Sequence, residues 1–171
     1  GKALYIGISN YNRQQTEKAA KILQELKTPF IINQIRYSML DRSIERDGLK
    51  DFAAQNGIGL IAFSPLAQGL LTGRYLNGMP EDSRIRTDGR FLTERAITPE
   101  LLGKLRALNE IARQRGQSLA QMALSWVLRD DGLTSVLIGA SKPEQIAENA
   151  AIVHAPAFSR EELKAIDDIL A

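Results

Sequence analysis

The chain has 171 residues, 44% of them hydrophobic and 25% charged, and twenty-two lysines and arginines against twenty aspartates and glutamates leave a formal charge of +2. That is globular composition with room for one core, but too short for a complete (β/α)8 barrel, which takes about 250 residues. The basic residues alternate with acids, as in Arg13–Glu17–Lys18, instead of clustering, which argues against a nucleic-acid partner.

The N-terminus, Gly-Lys-Ala-Leu-Tyr, has neither an initiator methionine nor a signal-peptide core and reads like the interior of a longer chain. Ala3–Ile8 is a short apolar run of β-formers, and Arg13–Leu26 then carries Ala19, Ala20, Ile22, Leu23 and Leu26 at helical spacing. Pro29 stops that helix, and Phe30–Ile35 is a second strand-like run. Ile44–Asn56 reads as one helix closed by Gly57, and Ile58–Phe63 as the third strand, broken by Ser64-Pro65. Residues 76–97 form a long polar segment, of the kind that is usually functional. Arg84, Arg86, Arg90 and Arg95 within it also suit a merely solubilised loop.

Thr98-Pro99 is an N-cap and first-turn pair for a helix over Leu101–Arg115, ended by Gly116. Ser118 caps a further helix through Leu128, in which Trp126 lies among Met122, Leu124 and Leu128 and reads as core. Ser135–Ile138 is the fourth strand and Pro143–Ala151 a helix, and Ser159 with Glu162 three residues on is a capping box for the last helix. Strands alternating with helices imply an α/β fold with a parallel sheet, and the near-continuous apolar runs suggest strands covered on both faces.

No cysteine is present, which excludes disulfides, thiolate zinc sites and a cysteine nucleophile and fits a cytoplasmic protein. The single histidine, His154, argues against a histidine metal site. The longest apolar runs, Ile58–Phe63 and Val136–Ala140, fall far below the roughly 20 residues of a membrane span.

In parallel βα units, ligands bind beyond the carboxyl ends of the strands. The residues there are Ser9-Asn10, Asn33-Gln34, Phe63-Ser64-Pro65-Leu66 and Gly139-Ala140-Ser141-Lys142. They include amides, hydroxyls, an aromatic ring and a lysine before a helix, with no strong nucleophile–base pair. Amide side chains match a carboxamide, a ring offers a stacking face, and a helix N-terminus with a lysine favours phosphate. Each has a structural alternative. Ser141-Lys142-Pro143-Glu144 fits a capping box, Phe63 fits a core, Asn33-Gln34 could satisfy backbone groups, and Gln145, Glu148 and Asn149 fit a solvated helix face.

The segments GISNY (7–11), NQIRYSML (33–40), FSPLAQGLLTGRY (63–75), QSLAQMALSWVL (117–128) and IGASKPEQIAEN (138–149) resemble the C-terminal half of an aldo-keto reductase. The resemblance is to the branch that holds bacterial glyceraldehyde-3-phosphate reductases and potassium-channel β subunits. It implies a (β/α)8 TIM barrel of which this chain covers strands five to eight. It also implies NADPH/NADP+ as cofactor and hydride transfer to an aldehyde or ketone. By position, Ser9, Asn10 and Gln34 would bond the nicotinamide carboxamide, and Phe63 would stack on the ring. Ser64, Leu66, Gln68 and Gly69 would line the pyrophosphate, with Pro65 between them and Arg74 as a nearby cation. Ser141 and Lys142 would meet the 2′-phosphate, and Gln145, Glu148 and Asn149 the adenosine. Residues 76–97 would fold over the site.

The family's catalytic Asp, Tyr, Lys and His precede the matching region. Tyr5, Tyr11, Tyr37 and Tyr75 fit no catalytic tyrosine motif, so no catalytic residue is expected in this chain. A non-catalytic NADP(H)-binding regulatory or redox-sensing subunit is the alternative reading. Open sheet edges would also allow a homo-oligomer.

Overall fold

The structure, a computed structural model, describes residues 2–78 and 93–171. Arg84, Arg86 and Arg90, with most of the expected segment 76–97, lie outside the described residues. The chain forms two compact units, residues 1–65 with 127–138, and residues 66–126 with 139–171.

The first unit holds a four-stranded parallel sheet in the order β1-β2-β3-β4, with β1 at Ile6–Ser9, β2 at Phe30–Arg36, β3 at Gly59–Phe63 and β4 at Ser135–Val136. Helices α1 (Arg13–Glu25), α2 (Ser43–Arg46) and α3 (Leu49–Gln55) fall between the strands, and α1 packs on β2 and α3 on β3. Asn12 starts α1 with a reciprocal capping box, its Oδ1 accepting from the Gln15 N–H at 2.9 Å.

The helix expected over residues 44–56 is two helices. Gly48 adopts φ +76° between them, and Asp47 Oδ1 accepts the Leu49 N–H at 2.9 Å, restarting the chain as α3. Gly57 at φ +64° closes α3 as its sequence position implies. The fourth strand is shorter than expected, although the Leu137 N–H still reaches the Ala62 carbonyl at 2.8 Å.

Burial alternates along β2 and β3 instead of running continuously. Asn33, Ile35, Leu60 and Ala62 are buried, while Ile32, Gln34, Ile61 and Phe63 between them are half-buried. The continuous apolar runs therefore do not mean equal cover on both faces; the face that carries Asn33 meets α1 through Thr16.

The second unit is helical, with α4 (Pro99–Gln114), α5 (Leu119–Val127, whose last residue belongs to the first unit), α6 (Pro143–Ala150) and α7 (Arg160–Leu170). Thr98 caps α4 with Pro99 in its first turn, Ser118 and Gln121 exchange capping bonds at the start of α5, and Ser159 and Glu162 form the box that opens α7. All three caps stand where the sequence places them. Leu105, Leu108, Met122, Leu124, Trp126 and Ile166 are buried. Arg115, with a side chain only 3% exposed, ties the end of α4 to the start of α7. It donates to Glu162 at 2.7 Å and to the Pro156 carbonyl at 2.6 Å, and its guanidinium stacks 3.8 Å from the Phe158 ring centre.

Candidate functional site

Strand register decides which candidates share a surface. Ser9 pairs with Gln34, Gln34 with Ile61, and Arg36 with Phe63. Because side chains alternate along a strand, Ser9, Gln34 and Phe63 lie on one face of the sheet, near the carboxyl ends of β1, β2 and β3. It is the opposite face from Asn33 and Leu60, which are themselves register partners. Ser9 is exposed, and Gln34 and Phe63 are half-buried, so the core reading of Phe63 is not realised in full.

The chain leaves β1 and β3 through strained backbone. Asn10, directly after β1, has φ +59°, and Ser64, directly after β3, has φ +52°. Ala67 at +47°, Gln68 at +59° and Gly69 at +95° continue the pattern within a short 3-10 segment over Ala67–Thr72. Non-glycine residues in the left-handed region are uncommon, and such clusters concentrate where a chain wraps a ligand. Asn10 is held there by its backbone N–H, which donates to the Gln34 carbonyl at 2.8 Å, and its Nδ2 donates to Ser9 Oγ at 3.3 Å.

The Asn33-Gln34 dipeptide divides its labour between the two faces. Asn33, fully buried, takes the backbone-satisfying role: its Nδ2 donates to the Tyr11 carbonyl at 2.9 Å and to Thr16 Oγ1 at 3.0 Å. Gln34 stays on the face shared with Ser9 and Phe63.

In the second unit, Leu66, Gln68 and Gly69 belong to the strained segment, and Arg74 just beyond it is exposed. The capping box imagined for Ser141 through Glu144 does not form. Lys142 is the N-cap of α6 and gives no side-chain cap. Ser141 turns instead to Gln145, its N–H and its Oγ donating to Gln145 Oε1 at 2.8 and 3.2 Å. Ser141, Lys142 and Glu148 are exposed and Gln145 is half-buried. Asn149 is buried, so the solvated-face reading fails for that residue. The Glu148 carbonyl accepts from Gln121 Nε2 at 3.0 Å, which ties the C-terminal half of α6 to α5.

A group of residues that the sequence did not single out is the cluster around Tyr37, just past β2. The Tyr37 hydroxyl donates to Glu45 Oε1, and Arg129 donates to both, at 3.0 Å to Tyr37 and 2.7 Å to Glu45. Burial and then the hydrogen bond to Glu45 push the Tyr37 hydroxyl pKa well above the usual tyrosine value. Burial alone would raise the Glu45 carboxyl, but the bonds from Tyr37 and Arg129 outweigh it and hold it below its ordinary value. Lys50 continues the cluster, donating to Asp130 at 2.6 Å. With Arg129 84 residues from Glu45, no local pattern announces this group.

Taken by chemistry, the candidates offer amide and hydroxyl groups beside an aromatic ring in one unit, and a hydroxyl, a lysine and an amide at a helix start in the other. Among the described residues, no cluster of metal-ligating side chains is present and no helix is long and apolar enough to cross a membrane.

Comparison with known proteins gives concordant results. The profile of the Aldo/keto reductase family matches residues 1–171. An L-glyceraldehyde 3-phosphate reductase of Escherichia coli is 53% identical over 174 residues, covering 100% of this chain and 50% of that protein. A Schizosaccharomyces pombe protein described as a voltage-gated potassium channel β subunit is 37% identical over 176 residues, covering 99% of this chain and 51% of that one. The crystal structure of a thermostable aldo-keto reductase in complex with the inhibitor epalrestat superposes with a TM-score of 0.68 at 28% identity, covering 96% of this chain and 48% of that chain. The fold is therefore of the TIM-barrel-like α/β kind, and the chain spans about half the length of the curated relatives it matches.

Proposed function

Since the chain belongs to the aldo/keto reductase family, we propose that it supplies the NADP(H)-binding half of a reductase of aldehydes or ketones, corresponding to strands five to eight of the barrel. The observation that carries this reading is the shared face of Ser9, Gln34 and Phe63, bordered by the left-handed turns at Asn10 and Ser64.

The donor set fits the cofactor. Gln34, Ser9 and Asn10 carry the paired donors and acceptors that a carboxamide needs, and Phe63 offers the flat surface that sets which side of the ring faces substrate. Ser64 and Pro65, which end the first unit, and Leu66, Gln68 and Gly69, which open the second, form a tightly turned stretch of backbone suited to a pyrophosphate, with Arg74 following. Ser141 and Lys142 at the start of α6 suit a 2′-phosphate, and Gln145, Glu148 and Asn149 the adenosine. The bound cofactor would supply the hydride. These residues would orient its ring and anchor its phosphates, and a proton donor from outside them would be needed for reduction.

Titration of the chain with NADPH, followed by nicotinamide fluorescence, tests the reading. Saturable binding with release of the signal by NADP+ is expected, and its absence overturns the assignment. A second reading, a non-catalytic NADP(H)-sensing subunit, draws on the likeness to the S. pombe protein. Binding in the full-length protein without reduction of 4-nitrobenzaldehyde would favour it.

A further inference from the structure

We infer that Asn33 and Thr16 are positioning residues that lock the Ser9-Asn10 turn in its ligand-ready conformation from the opposite face of the sheet. The inference rests on the proposed nicotinamide role of that turn.

Both side chains are fully buried between β2 and α1. They close a small ring of hydrogen bonds on one backbone carbonyl. Asn33 Nδ2 spends one hydrogen on the Tyr11 carbonyl at 2.9 Å and the other on Thr16 Oγ1 at 3.0 Å, and the Thr16 hydroxyl donates to the same Tyr11 carbonyl at 3.3 Å. The amide cannot be turned round, because its oxygen would then face the carbonyl oxygen of Tyr11. This arrangement leaves Asn33 Oδ1 buried with no hydrogen-bond partner among the described residues. A fold that needed only packing here would be better served by an apolar side chain, which leaves no orphan acceptor.

The clamp acts next to strained backbone. Asn10 sits at φ +59°, and Tyr11 and the cap residue Asn12 connect it to α1. From the strand, the Gln34 carbonyl accepts the Asn10 N–H at 2.8 Å. From the helix side, Asn33 and Thr16 fix the next carbonyl along. Consecutive residues of β2 thus grip consecutive residues of the turn, with the face that carries Gln34 left for ligand.

Two measurements separate the clamp from the cofactor reading. The first needs no ligand: amide hydrogen exchange at Asn10 should accelerate about tenfold in Thr16→Val and Asn33→Leu and return to within about twofold of wild type in Thr16→Ser, a tenfold change being 1.4 kcal/mol. Unchanged exchange at Asn10 in a folded Thr16→Val protein overturns the clamp. The second compares NADPH with adenosine 2′,5′-bisphosphate, which keeps adenine and phosphates but has no nicotinamide. The clamp variants should lose about tenfold in NADPH affinity and nothing for the bisphosphate. Equal loss for both ligands reduces the residues to general stability and overturns the positioning role. Wild-type protein that binds neither ligand overturns the cofactor reading while the exchange result still stands. Should Asn33→Leu fail to fold, the Thr16→Val and Thr16→Ser pair carries both measurements.

Discussion

Replacing Glu45 with alanine tests whether the Tyr37 cluster holds the first unit together. Tyr37 is 0% exposed, and the side chains of Arg129 and Glu45 are 15% and 26% exposed. The substitution removes the hydrogen bond from the buried Tyr37 hydroxyl to Glu45 Oε1, a loss of about 1–3 kcal/mol. It also removes the 2.7 Å contact between Arg129 and Glu45, worth about 1 kcal/mol because water still reaches both groups. Together these amount to about 2–4 kcal/mol, or a fall in melting temperature of roughly 8 °C for a chain of this length. Thermal and urea unfolding followed by circular dichroism measures it, with Glu45→Gln, which keeps the acceptor, expected to lose less. The pH dependence has a defined sign. The folded-state pKa of Glu45 is lowered from 4.5, so its stabilisation is complete at neutral pH and is lost as pH falls below 4.5 through the folded value. The gap between wild type and Glu45→Ala should therefore narrow on acidification. A gap below about 0.5 kcal/mol at pH 7, or one that widens in acid, refutes the reasoning.

The remaining predictions concern local features. Lys142→Ala should reduce the preference for NADPH over NADH by roughly 5–30-fold if its amine meets the 2′-phosphate, read from competing fluorescence titrations; an unchanged preference removes Lys142 from the site. Gly7→Ala should destabilise the first unit by about 1–3 kcal/mol in urea unfolding. A methyl there would lie 2.6 Å from Ile32 Cγ2 and 3.2 Å from the Ile32 carbonyl oxygen, and a stable variant would contradict that register. Ser159→Ala should cost about 1 kcal/mol in thermal unfolding by removing the cap on the Glu162 N–H, which Ser159 Oγ accepts at 3.1 Å.

The alternation of strands and helices, the caps at Thr98, Ser118 and Ser159 and the closing glycines were legible from the chain alone, because each depends on residues within a few positions of one another, and the parallel sheet followed from that alternation. Residue type at the strand ends was equally legible, and the five segments that resemble the aldo/keto reductase family are matched by its profile over residues 1–171. What a linear pattern does not carry is the side of the sheet to which a residue belongs. Asn33 and Gln34 are neighbours in sequence with the same chemistry, yet one is buried against α1 and the other shares a face with Ser9 and Phe63. Ser141 looked like a helix cap and became the partner of Gln145, because the residue at the N-cap position is Lys142. The break at Gly48 and the meeting of Tyr37, Glu45 and Arg129 likewise needed the folded chain. Hydrophobic spacing and capping are short-range preferences and survive in the sequence. Register and long-range ion pairing arise only when strands and helices far apart in the chain compete for the same buried space, so tertiary structure alone decided them.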